Sequence, residues 1–164
     1  MSSSLMLVAS FLLFAISVSE SQLVIKKYEL CGGTGSVRYI KVTPCVEEPC
    51  EFKRNSKVHV EIELAFEHPS ETATLKSFAD LKASNMTLVG VPTDFCKAKI
   101  VECPIRGRGD YRVAKFIVPI KKLYTPLNDS DTLQNFYNAS FMGYGDAGWE
   151  ICVKLLIRVL DEML

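Results

Sequence analysis

Six cysteines and two histidines are the residues of this 164-residue chain best suited to covalent or metal chemistry. Their spacing directs the cysteines toward disulfides. Cys45 and Cys50 each follow a proline, and four residues separate them. Cys96 and Cys103 form a second close pair, and Cys103 precedes Pro104. Six cysteines allow about 15 pairings; the two local pairs are natural by spacing, which leaves Cys31 with Cys152. Closing a loop of more than a hundred residues is worth about 4–5 kcal/mol in the chain-entropy model. Zinc is the competing use of cysteine, but His59 and His68 are the only histidines and neither lies in a C-x-x-C frame. The chain has no G-x-S-x-G, no H-E-x-x-H and no paired-acid motif. With every cysteine in a disulfide, no thiol remains as a nucleophile. No metal, no cofactor and no catalytic set is expected, and Glu47 and Glu48 read as solvated acids in a disulfide loop. Arg108-Gly109-Asp110 spells an adhesion tripeptide, whose use would require a presented loop. Asn85, Asn128 and Asn138 each head an N-x-[ST] sequon.

Disulfides at this density imply an oxidising compartment. The start of the chain agrees. Leu5 to Val18 is an uncharged apolar run, too short for a comfortable membrane span, with the small residues Ser17, Ser19 and Ser21 at and just past its end. Residues 1–19 are therefore expected to be a signal peptide, cleaved after Ser19 or Ser21. Residues 20–164 are expected to form one domain of a secreted or lysosomal protein. That length is enough to bury a core.

The elements that must position these residues are strands. Val58, Val60, Ile62, Leu64 and Phe66 alternate with His59, Glu61, Glu63 and Ala65, the pattern of one buried and one wet face. Gln22–Leu30 reads as a first strand and Ser36–Thr43 as another, with the CGGTGS turn between them. Thr74–Ala83 is compatible with a short helix or a twisted strand. Tyr111–Ile120 reads as a strand in two registers, reconciled by a bulge near Ala114, and Pro119 marks an edge. Phe136–Met142 and Glu150–Leu160 complete the set, joined by the turn YGDAG. Trp149, Tyr111, Phe116 and Phe136 are expected in the core. About seven strands at this spacing predict an all-β sandwich.

Net charge is zero, which argues against a nucleic-acid partner. The charge is uneven, however. Lys97, Lys99, Arg106, Arg108, Arg112, Lys115, Lys121 and Lys122 fall in one segment, and the acids fall earlier. That segment reads either as a solvated face or as a surface for anionic lipid headgroups.

Four stretches, CGGTGSVRYIKVTPCVEEPC, GVPTDFC, CPIRGRGDY and VPIKKLYTP, together with the late cysteine strand CVKLLIRV, resemble the ML lipid-recognition family. The nearest kind is the Niemann-Pick type C2-like branch, with the group 2 mite allergens as relatives. The resemblance spans essentially the whole mature chain and implies the pairing reached from spacing. It also implies an immunoglobulin-like β-sandwich of two antiparallel sheets with a lipid pocket between them. By motif, Phe95 matches a pocket aromatic, and Ile120 and Tyr124 match an aliphatic and an aromatic residue of the same pocket. Val60, Ile62, Leu64, Phe66 and Val118 are each equally core or pocket wall, because such a pocket is an opened core. A sterol hiding on the order of 400 Å² of apolar surface gains roughly 10 kcal/mol gross, reduced by the costs of association. The expectation is a monomeric carrier, without catalysis, of a sterol or other apolar lipid. It would deliver that lipid to an anionic membrane surface or to a membrane sterol acceptor protein. The alternative is an extracellular recognition module of innate immune or chemosensory signalling that presents a lipid or glycolipid to a receptor.

Overall fold

The computed structural model describes residues 20–81, 84–121 and 136–160. The alternating stretch that begins at Lys57 becomes the strand β5 (Lys57–Ala65), with Val58, Val60, Ile62 and Leu64 each 2–3% exposed. It lies between β3 (Ser36–Thr43) and β8 (Arg112–Pro119), pairing Ile40 with Ile62 and Val60 with Phe116. β1 (Leu23–Val24) extends β3, giving a four-stranded sheet in the order β1-β3-β5-β8. Pro119 lies on the edge strand, where its missing N–H breaks no ladder.

The opposing sheet is built around β9 (Phe136–Gly145) and β10 (Gly148–Leu160). Its order is β2-β10-β9-β6-β7, where β2 is Tyr28–Gly32, β6 Thr74–Leu81 and β7 Ser84–Thr87. β4 (Cys50–Lys53) joins the far end of β10 and is parallel to it; all other pairs are antiparallel. The fold is an immunoglobulin-like β-sandwich whose two inner faces form the core.

Several expectations are corrected. Gln22–Leu30 is two strands, one in each sheet: β1 pairs with β3 and β2 pairs with β10. Residues 25–27 make the crossing, and Ile25 points inward at 6% exposure. Thr74–Ala83 resolves to the strand β6, because an inner face made of Leu75, Ser77 and Ala79 packs against the opposite sheet. The bulge near Ala114 is absent. β8 pairs with β5 without a break from Leu64↔Arg112 to Lys57↔Pro119, and Ala114, Phe116 and Val118 face inward. Val113 and Ile117 are simply exposed apolar residues on the outer face. Trp149 is 41% exposed rather than core. Its indole N–H donates to the Ile151 carbonyl at 3.1 Å, and its ring covers Gly32.

Three disulfides fasten the sandwich: Cys31–Cys152, Cys45–Cys50 and Cys96–Cys103. The first ties β2 to β10 within one sheet. The second closes the loop that leads into β4. The third closes a loop that β8 holds through its backbone, the Lys115 N–H donating to the Ile100 carbonyl at 3.1 Å. No cysteine is free.

Candidate functional site

The two inner faces do not meet along their whole length. At the end that carries the Cys45–Cys50 loop and the β6–β7 hairpin, a cavity of about 180 Å³ separates them. The four-stranded sheet contributes Val42, Val58, Val60 and Val118, with Ile120 just beyond β8. The other sheet contributes Ala79, Met86, Tyr137, Ala139, Phe141, Leu155, Ile157 and Val159, with Leu88 just beyond β7. Ile25, Cys50 and Phe52 complete the wall, and Lys27, Glu48, Pro49 and the half-exposed Leu156 stand at its edge. Only Lys27 and Glu48 among these lining residues carry a charge. An apolar void of this order stays dry and accepts apolar guests.

The space exists because the small side chains Ala79 and Ala139 face it from adjacent register positions on β6 and β9. Toward the other end, larger side chains close the gap. Phe116 lies 5.4 Å from Phe141 and 6.2 Å from Phe95, ring centre to ring centre. Phe66, 1% exposed, packs over Gly143 and Gly145, where an added Cβ would meet its ring.

This geometry sorts the lipid-pocket residues expected from the sequence. Val60, Val118 and Ile120 line the cavity. Ile62, Leu64 and Phe66 continue the same face of β5 into the packed half of the core. Phe95 is buried at 2% exposure against Phe116, and neither ring lines the cavity. Tyr124 and the sequon residue Asn128 lie outside the described residues, as do residues 1–19. Sequence reasoning missed the lining contributed by Ala79, Met86, Leu88, Ala139 and Phe141. Of the strands that carry them, only that of Ala139 and Phe141 reads as a strand from sequence, and nothing local tells an inner alanine beside a void from one in a packed core.

Glu48 is not a solvated acid. Its carboxylate accepts the backbone N–H groups of Lys26 at 2.5 Å and Lys27 at 2.8 Å. It thereby pins the β1–β2 crossing to the Cys45–Cys50 loop at the cavity mouth. Lys27 lines the opening; Lys26, Lys53, Lys57 and Lys121 each adjoin a lining residue in sequence and are exposed, as are the acids Glu47 and Glu51. None of these five lysines forms an ion pair among the described residues.

The basic segment seen in the sequence supplies Lys121 to this group, but four of its other residues are paired. Lys97 pairs with Asp94, Arg108 with Glu67, Arg112 with Asp110 and Glu102, and Lys115 with Glu61. Glu61 also accepts bonds from the Tyr39 hydroxyl at 2.8 Å and from Lys41 Nζ at 3.2 Å. Burial raises its pKa, but these partners outweigh burial and hold it below the usual value. The adhesion tripeptide is similarly engaged. The Arg108 Nε donates to Glu67 at 2.7 Å, while Asp110 accepts from the Arg112 Nε and the Arg106 N–H, each at 2.9 Å.

At the closed end sits a buried acid that the sequence reading did not single out. Glu150 is 1% exposed. Its carboxylate accepts the Thr34 hydroxyl and the Glu67 N–H, both at 2.9 Å, and lies 2.9 Å from His68 Nδ1. Burial pushes its pKa up; the His68 contact, the Glu67 amide and the Thr34 hydroxyl more than reverse this, so it titrates below the ordinary carboxylate value. The group joins the glycine turn after β2, the exit of β5 and the start of β10. Gly33 is required there: its φ is +92°, and a Cβ would come within 2.3 Å of the Glu150 carbonyl. No group of three or more His, Cys, Asp or Glu side chains among the described residues could hold a metal ion.

Comparison with known proteins agrees with this geometry. A family model described as the ML domain matches residues 26–158. The mite group 2 allergen Gly d 2.02 of Glycyphagus domesticus is 31% identical over 84 residues, which are 51% of this chain and 64% of the allergen. Lep d 2 of Lepidoglyphus destructor is 27% identical over 74 residues, 45% of this chain and 51% of that one. The matched stretches thus span about half to under two thirds of the length of these relatives. The crystal structure of a Niemann-Pick type C2 protein from Japanese carpenter ant superposes with a TM-score of 0.67 at 19% identity, covering 82% of this chain and all of that one. The C-terminal domain of wzt superposes with a TM-score of 0.51 at 15% identity, covering 89% of this chain and 81% of that one.

Proposed function

The chain belongs to the ML-domain family of lipid-binding proteins, and from that premise we propose that it is a secreted or lysosomal lipid carrier. It holds a sterol or similar apolar lipid between its sheets and delivers it to a membrane or a membrane acceptor protein. No bond is made or broken; the work is desolvation. One observation carries this reading: a cavity of about 180 Å³ opens between the sheets, with apolar side chains on both walls and charge only at its edge. A lipid tail entering it supplies the contacts that the two sheets fail to make with each other.

The mouth supports delivery to an anionic surface. Lys27 lines it, the exposed Lys26, Lys53, Lys57 and Lys121 each adjoin a lining residue and outnumber the exposed Glu47 and Glu51 that do the same, and Glu48 is committed to backbone amides. A basic juxtamembrane group gains about 1 kcal/mol per lysine near an anionic leaflet, and salt screens this attraction over about 8–10 Å. Docked mouth-first, the protein would pass its lipid without exposing it to water.

The test is direct. Disulfide-intact protein is extracted with organic solvent and the extract identified by mass spectrometry. The stripped protein is then titrated with a fluorescent sterol and a fluorescent fatty acid. Co-purifying lipid and saturable binding are expected, with transfer to anionic vesicles that is faster than to neutral ones and slowed by salt. Protein that yields no lipid and binds neither probe is not a carrier.

A further inference from the structure

Two of the three sequon asparagines lie on one face. Asn138 is on β9 and Asn85 on β7, and both are exposed. The strand register sets them in a single row across the six-stranded sheet: Leu156 opposes Asn138, Asn138 opposes Asp80, and Asp80 opposes Asn85. Side-chain alternation fixes which face this is. The adjacent residues Ala139, Ala79 and Met86 line the cavity, so the row is on the outer surface. Two strand spacings put the asparagines about 10 Å apart. In the same row, Leu156 borders the edge of the cavity and is 49% exposed, an apolar side chain reaching water beside Asn138.

We propose that Asn85 and Asn138 both carry N-linked oligosaccharide, and that the two glycans together cover the outer face of the six-stranded sheet, Leu156 included. A bulky, solubilising group at each position closes this face to protein partners and leaves the basic cavity mouth open. In the transfer, the asparagine Nδ2 bonds to the anomeric carbon of an oligosaccharide. The bond from that carbon to the oxygen of a lipid-linked pyrophosphate donor breaks, and one amide proton leaves with the pyrophosphate. Ser140, the third residue of the Asn138 sequon, is 5% exposed in the folded protein, so modification there precedes the pairing of β9. The inference rests on the reading that the chain enters the secretory pathway.

The experiment separates the two ideas. The full chain, and in parallel residues 20–164 behind a leader of proven function, are expressed in a eukaryotic secretory host. Peptides of the secreted protein are treated with peptide N-glycosidase in heavy-oxygen water, which marks each formerly glycosylated asparagine as labelled aspartate. Labelling at both Asn85 and Asn138 is expected, with Asn85→Gln and Asn138→Gln each losing one glycan. The doubly substituted protein should self-associate at concentrations where the glycosylated protein is monomeric, and Leu156→Ser should relieve this. Secreted protein with either asparagine unlabelled overturns the proposal, and a double variant that stays monomeric overturns the shielding. If only the leader-fused chain is secreted, the reading of residues 1–19 fails, and the same peptides decide the glycans on that protein.

Discussion

Ala139→Leu separates an open cavity from a merely loose core. Ala139 is 3% exposed on β9, with Ala79 beside it on β6 and Leu155 on β10. It faces a cavity of about 180 Å³. At about 24 cal/mol per Å³, a void of that size leaves the lipid-free protein about 4 kcal/mol less stable than a filled one. Leucine adds three carbons, and at about 0.8 kcal/mol each they return about 2.4 kcal/mol if they enter empty space. For a domain of this size that raises Tm by roughly 5–10 °C. The same three carbons displace an equal part of the ligand, and a loss of about 2.4 kcal/mol weakens binding about fiftyfold. Thermal melts of the lipid-stripped protein and titration with a fluorescent sterol read the two effects, which must have opposite signs. If the space is already packed, overpacking costs about 1–3 kcal/mol instead. A variant that melts several degrees lower and binds lipid as well as the parent would refute the cavity and its role together.

Three further outcomes follow from the same structure. Ile120→Ala, at the mouth, should weaken lipid binding about tenfold or more, since about 2 kcal/mol of apolar contact is lost, whereas Phe95→Leu, against Phe116, should lower Tm and leave affinity within twofold; equal losses of affinity would place Phe95 on the ligand. Glu150 titrates below its ordinary value of 4.5, so its contribution to stability is complete above that value and is lost as pH falls through the depressed one; denaturant melts should show parent stability dropping below about pH 4.5, while Glu150→Gln is less stable at neutral pH and shows a shallower acid decline. Removing the Cys31–Cys152 bond, which spans 121 residues, should cost about 5 kcal/mol in the chain-entropy model, against about 2 kcal/mol for Cys45–Cys50; equal losses measured by denaturant unfolding would show that local geometry, not loop closure, sets these contributions.

The sequence by itself determined the frame of this protein. Period-two alternation from Val58 to Phe66 required one buried face, and two inner faces of that kind make a sandwich. Cysteine spacing and the four motif stretches pointed to the same family that the family model identifies. Those signals are local, and local patterns survive being read one residue after another. Tertiary structure alone decided where the two faces fail to touch. Val60 and Ile62 are indistinguishable in the strand pattern, yet one borders the cavity and the other is packed core, because Ala79 and Ala139 oppose one end of the sandwich while Phe66, Phe116 and Phe95 fill the other. Charge followed the same rule. The basic run from Lys97 onward is contiguous in the chain, yet Lys97, Arg108, Arg112 and Lys115 are paired in space, with Asp94, Glu67, Glu102, Asp110 and Glu61, while Lys121 is not. Five lysines without an ion pair among the described residues adjoin the cavity lining from four separated segments: Lys26 and Lys27, Lys53, Lys57 and Lys121. A void and a surface potential are both sums over residues distant in sequence, which is why the chain's own order announced the sandwich but not the position of its opening.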